Sequence, residues 1–403
     1  MSTQDVSESR PGRPERAVRH RFRRVAKPLL LVLLGLGSGL ALAEFILRIA
    51  GPMPFAVDGD RIRLSVNAGS LGSNDTHSKL DRRIFIWKNS LGFRGAGPPR
   101  SFDRHLTIVA VGGSTTECLL LDEGDDWPAR LRRRLAPAIG RLWVNNAGLD
   151  GHSTFGHQAL IDAHIARLSP DIVLYLVGVN DIGRGEPNAF DEGSRPIARS
   201  DAPTPGPWVR LARHSRVASL ALNAYRMVRA FRWSLGHGQV DLLSVEHVDK
   251  NADNGPTMDH DPYLRGYQQR LAALVASSRE HGMQPVLVTQ PLLYGAGVDP
   301  TTGVDLATVR IRDLGGSTAW RLMERYNDVT RRLGRVADVP VIDLAAEMPK
   351  DSRYYYAWMH YTPAGSEMVA NVIASHLCPI VHARFPDHST GDCPDIAQPE
   401  PAN

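Results

Sequence analysis

The chain has 403 residues, 42% hydrophobic and 22% charged, enough for one globular domain of about 250–300 residues with appendages. Its formal net charge of +4 is not spread evenly, because residues 1–27 set eight Lys/Arg against Asp5, Glu8 and Glu15. That surplus of five, taken from +4, leaves the remainder at −1, so the basicity belongs to a tail and a nucleic-acid-binding reading of the main body loses its support.

The basic tail, 1–27, runs into an apolar stretch over 28–47 whose one ionisable residue is Glu44. About 20 residues suffice to span a bilayer as a helix. Arginines before the span place the N-terminus in the cytoplasm and the rest of the chain outside it, on the periplasmic side of an inner membrane. Ala41-Leu42-Ala43 and Arg23-Arg24 offer the rival reading, a cleaved signal peptide. The run is long for a signal core, which favours an uncleaved single-pass anchor.

Residues 52–100 read as a lead-in rich in Gly, Asn and Ser. From there strand and helix signals alternate. Strands are expected at 106–111, 142–144, 172–177, 285–289 and 339–342, and helices at 127–135, 156–168, 263–281, 318–336 and 363–377. Continuous apolar strands alternating with helices predict an α/β fold, a three-layer α/β/α sandwich around a central parallel sheet, over 101–378. Residues 183–261, rich in Arg, Pro, Gly and His, interrupt the rhythm as an insertion with one helical stretch at 217–233, either a lid or wall over a site or a disordered excursion. Residues 379–403 read as a disordered tail. Three cysteines suit an extracytoplasmic chain with at most one disulfide. Cys378 and Cys393 are spaced to close a short loop, and Cys118 reads as a small buried hydrophobe.

Ligands of open parallel sheets sit at the carboxyl ends of the strands. Gly112-Gly113-Ser114-Thr115 follows the first strand, Asn146-Ala147-Gly148-Leu149-Asp150-Gly151-His152 the second and Gly178-Val179-Asn180-Asp181 the third, while His360 precedes the last helix. Two glycines before Ser114 permit a sharp turn that exposes its hydroxyl. The N–H groups of Ser114 and Gly151 and the amide of Asn180 make a three-donor oxyanion hole. His360 is the base for the serine. No Gly-Lys-Ser/Thr follows the glycines, which excludes a phosphate loop. No metal-ligand spacing is present, and no cofactor is expected. His152 and His157 read as substrate-side or surface groups.

These four clusters resemble the SGNH (GDSL-like) hydrolase superfamily, whose marker residues match Ser114, Gly151, Asn180 and His360. The resemblance covers roughly 85–377 and includes Asn89-Ser90-Leu91-Gly92-Phe93-Arg94-Gly95, similar to a lead-in of membrane-anchored members. It implies a serine esterase acting through acyl-Ser114, with an acylated glycan or small ester as substrate. O-acyl transfer to an envelope polysaccharide uses the same residues. The departure is Ala357, where the family places an aspartate three residues before the histidine. The reading therefore leaves open a backbone carbonyl orienting His360, a substitute acid with Asp343 first and Asp351 second, or a non-catalytic glycan-binding protein.

Overall fold

Five short apolar strands form one parallel sheet: β1 (Leu106–Gly112), β2 (Leu142–Asn146), β3 (Ile172–Leu176), β4 (Gln284–Val288) and β5 (Val341–Ile342). The structure, a computed structural model, describes residues 15–49, 57–58, 61–62, 64–75, 77–187, 191, 211, 214–221, 224, 237–248 and 259–395. The sheet order is β5-β4-β3-β1-β2. Ile108 stands opposite Val144 on one side and Ile172 on the other, and Leu174 opposite Val286. Every residue of β1 and β3 is buried. Both faces are therefore covered, as their unbroken apolar sequences require.

Helix α1 (Trp127–Leu135) packs on α5 (Pro363–Arg384), while α2 (Thr154–Leu160), α3 (Asp261–Glu280) and α4 (Gly316–Ala337) pack in series. This is the expected α/β/α sandwich with the doubly wound order in which the first strand lies between the second and third. The order reverses between β1 and β3, the point at which such sheets bind ligands. Helix starts follow local chemistry. Asp126 accepts the Ala129 N–H at 3.2 Å ahead of Pro128, and Thr362 accepts the Gly365 N–H at 3.1 Å ahead of Pro363. Helix α2 continues through a π turn over Ile161–Ile165 to Leu168.

The lead-in holds more structure than its composition suggests. Ala68–Ser73 and Arg83–Lys88 form an antiparallel hairpin, Leu71 opposite Phe85, with Ile84 and Ile86 facing inward. Its first strand contains Gly69, Ser70, Gly72 and Ser73, which carry no strand signal. Beyond the hairpin, Arg94 bridges to Lys88 and to Asn146 at the end of β2. The Arg94 side chain is fully buried. Its Nη1 donates to the carbonyls of Glu117 and Cys118 at 2.9 and 2.8 Å, and its Nη2 to those of Leu121 and Asp122 at 3.1 and 3.0 Å.

The C-terminal boundary needs correction. Helix α5 continues past 378 through Pro379 to Arg384, and Cys378 is bonded to Cys393. Thr390 N–H then donates to Ala138 O at 2.9 Å, so the chain is ordered to 395 by its pairing with the turn after α1; 396–403 lie outside the described residues.

The chain divides into two units, one of Met1–Met53 with Gly206–Leu222 and one of Pro54–Pro205 with Asn223–Asn403. In the first, the helix Glu15–Ile49 contains Leu30–Ile49, of mean hydropathy 2.2, long and apolar enough to cross a membrane as an anchor or a signal sequence. Glu44 accepts hydrogen bonds from the Arg216 and Val217 N–H groups at 2.9 and 3.0 Å and from Ser215 Oγ at 2.9 Å. It thus caps the described helical stretch 216–221. The rest of the helix expected at 217–233 lies mostly outside the described residues.

Arg94→Leu removes four donors from buried or partly buried carbonyls and leaves Asp126 without its cation. The expected cost is about 3–5 kcal/mol in urea unfolding; a loss below about 1 kcal/mol contradicts this role.

Candidate active site

Ser114 opens a short helix, Ser114–Glu117, at the carboxyl end of β1. First-turn N–H groups have no partner inside their own helix, so the Ser114 amide is a donor in position. Gly113 is required by close approach, since a Cβ there would run into Asn180 Nδ2 and come within 3.2 Å of His152 O. Gly151 has φ +71°, the left-handed region that favours glycine. Its loop is tied to the serine turn on both sides. Leu149 N–H donates to Gly112 O at 3.0 Å, and Asp150 N–H to Glu117 Oε2 at 2.6 Å. Asn180 sits in the 3-10 turn Val179–Asp181 after β3 and donates one amide hydrogen to His152 O at 2.9 Å, leaving its second. Ser114, Asn180 and the loop that carries Gly151 are thus brought together at the ends of β1, β2 and β3.

His360 joins them. Its Nε2 lies 2.9 Å from Ser114 Oγ, and both residues are 6% exposed. Its Nδ1 is buried and has no hydrogen-bond partner among the described residues. No backbone carbonyl among the described residues orients it through Nδ1. Asp343 does not either, which corrects its assignment as the substitute acid. Asp343 Oδ1 accepts from Thr289 Oγ1 and Arg331 Nη2, each at 2.8 Å, and Oδ2 from Arg331 Nε at 2.9 Å. Against the cost of burial, that guanidinium holds the carboxyl below its ordinary range, so it serves as a strand-end ion pair. Asp351 accepts from Thr301 Oγ1 and Arg353 Nε, both at 2.8 Å. Burial first, then His237 beside it, push the His360 pKa down to about 3, opposed by Asp150.

Several neighbours carried no sequence signal. His237, from the insertion, stacks on His360 with ring centroids 4.4 Å apart at 24°. Its Nε2 lies 3.2 Å from Asp150 Oδ1 and its Nδ1 3.0 Å from the Tyr356 hydroxyl. Tyr356 also stacks on His360, at 5.5 Å and 14°, and His77 meets the edge of Tyr356 and hydrogen-bonds His237 O. Part of 183–261 is thus a wall of the site. Asp150 was visible within the second cluster, but nothing in the sequence linked it to a histidine 87 positions on.

His152 and His157 are buried, 2% and 1% exposed, and stack at 6.3 Å, which corrects their reading as surface groups. The Cys118 thiol is buried and pushed up to about 12, first by desolvation and then by Asp126, so it is no nucleophile at neutral pH. Cys378, His382 and Cys393 lie close enough to hold a metal ion, but the two sulfurs are bonded to each other.

A family model described as GDSL-like Lipase/Acylhydrolase matches residues 110–368. Esterase TesA of Pseudomonas aeruginosa is 35% identical over 79 residues, 20% of this chain and 39% of that protein. A crystal structure of TesA is 17% identical, covering 68% of this chain and 99% of its own, with a TM-score of 0.39. An acetylxylan esterase from Geobacillus stearothermophilus is 14% identical, covering 67% and 93%, also with a TM-score of 0.39.

His360, His152 and His157 all have depressed pKa values through burial, whereas histidines of the unfolded chain protonate near 6.5. Below that pH the unfolded state binds more protons, so stability held above 6.5 drains away as the pH falls toward about 3. The thermal midpoint should drop between pH 7 and pH 4.5, with a shallower drop in His360→Gln; an equal slope in the two proteins contradicts the buried neutral imidazole.

Proposed function

The chain belongs to the GDSL-like lipase/acylhydrolase family, and from this premise we propose that it is a carboxylic ester hydrolase, an extracytoplasmic esterase that cleaves O-acyl groups from glycans through an acyl-Ser114 intermediate. The observation that carries the mechanism is the 2.9 Å approach of His360 Nε2 to Ser114 Oγ. His360 takes the serine proton as Oγ attacks the ester carbonyl. The oxyanion is met by the N–H groups of Ser114 and Gly151 and the free amide hydrogen of Asn180, donors of a kind worth about 3–4 kcal/mol each. His360 returns the proton to the departing alcohol, then activates the water that releases the acid.

Glycan as the acyl carrier rests on location: a basic segment followed by an apolar helix long enough to span a bilayer supports a domain outside the cytoplasm, where the cell envelope offers acylated sugars. Transfer of the acyl group to a sugar hydroxyl is the second reading. It uses the same residues, with a sugar hydroxyl in place of water attacking the acyl-enzyme.

With a chromogenic acetate ester, Ser114→Ala should lower kcat by about 10³-fold or more, and Asn180→Ala by about 10²-fold, with circular dichroism unchanged. Turnover that survives Ser114→Ala overturns the mechanism. Products measured with and without an acceptor sugar separate hydrolysis from transfer.

A further inference from the structure

His360 lacks the acid its chemistry calls for, yet its ring is held. His237 lies flat against it at 4.4 Å, and His237 is itself fastened at both nitrogens, to Asp150 and to Tyr356. In neutral His237 the Tyr356 O–H donates to Nδ1 and the Nε2–H donates to Asp150, which selects one tautomer. The residues after His237 are fastened as well. Val240 N–H donates to Tyr356 O at 2.8 Å, and Ser78 N–H to Gln239 Oε1 at 2.8 Å.

We propose that Asp150 and His237 are positioning residues that take over the work of the absent triad acid. His237 fixes the plane of the His360 ring by stacking. Asp150, held in place through His237, supplies the negative charge that offsets the imidazolium formed when His360 accepts the Ser114 proton. The proposal rests on the Ser114–His360 esterase reading and adds to it the groups that make a buried histidine usable.

The groups facing His237 are Asp150 after β2, Glu117 from the serine turn, His77 from the hairpin, and Tyr356 and His360 from the loop before α5. Burial disfavours charge on His237, but the hydrogen bond and charge of Asp150, with Glu117, outweigh it and raise its pKa above 6.5. Protonated His237 cancels the Asp150 charge and sets a cation against the ring that must itself become cationic. Neutral His237 is therefore the productive form, and kcat/KM should rise with pH through the raised His237 pKa.

The test measures kcat and KM for a chromogenic acetate ester from pH 5 to 9 on the full-length chain in detergent, as wild type, Asp150→Asn and His237→Phe. Asp150→Asn keeps the side-chain shape and loses the charge; it should lower kcat about tenfold or more with KM within about twofold. His237→Phe keeps a stacked ring that cannot titrate, and should lose the acid limb of the profile. Adding Ala357→Asp returns an acid to the histidine loop, and should shrink the Asp150→Asn loss severalfold, which a merely structural role would not allow. Wild-type kcat and acid limb in both variants, or an undiminished loss with Ala357→Asp, overturns the proposal. A wild type that hydrolyses no ester and takes no fluorophosphonate on Ser114 fails the esterase reading itself, a different outcome from an active wild type indifferent to these two substitutions.

Discussion

One buried guanidinium holds the turn on which Ser114 stands. Arg94 gathers the carbonyls of Glu117, Cys118, Leu121 and Asp122 around a fully buried charge. Cys118 O and Asp122 O also accept the Leu121 and Asp125 N–H groups, each at 3.0 Å, so Arg94 gives them a second bond; a buried carbonyl left with no partner costs about 1–3 kcal/mol. Burial works against the Arg94 charge, but Asp126 at 3.7 Å and Glu123 at 3.4 Å outweigh it and keep the group cationic. Asp126 also caps α1 and accepts from Asn146 Nδ2 at 3.1 Å. The lead-in, the serine turn, α1 and the end of β2 are thereby one connected hydrogen-bonded body. That rigidity holds Asn180 and the Gly151 loop so close to the Ser114 turn that a side chain at Gly113 would displace the Asn180 amide.

The same closeness burdens the base. Walling the site with His237 and Tyr356 desolvates His360, and its pKa falls to about 3. Burial, and His237 beside it, thus weaken the imidazole as an acceptor of the serine proton. A neutral imidazole is preserved throughout the neutral range, ready to act, but its conjugate acid needs a counter-charge. Ala357 provides none, and Asp343 is committed to Arg331. The geometry instead brings Asp150 to the site, through the insertion that interrupts the α/β pattern.

Much of this was legible in the sequence because it is local. The run Leu106–Val111 has only one way to be buried on both faces, and Asp126-Trp127-Pro128 carries its own helix-start chemistry, so β1 and α1 lie where the pattern put them. The order of Ser114, Gly151, Asn180 and His360 follows from glycine and asparagine turns at strand ends. What was hidden is what tertiary contact decides. The first strand of the hairpin is mostly glycine and serine and pairs along its length with Arg83–Lys88. Asp343 ends a strand near the right place in sequence, but Arg331, one helix earlier, claims it. His237 sits in a stretch with no periodicity, and Glu44 in the apolar helix caps a turn more than 170 residues away.

The central claim is that Ser114 is the nucleophile of an acyl-enzyme served by a histidine without a triad acid. Its most direct test is mass spectrometry of the full-length chain quenched in acid during turnover of an activated acyl ester, with peptide mapping of the adduct. The account predicts one acyl group, on Ser114, that disappears in Ser114→Ala and builds up more slowly in His360→Ala. Steady turnover with no acyl group on Ser114, or with the adduct on another residue, would contradict it.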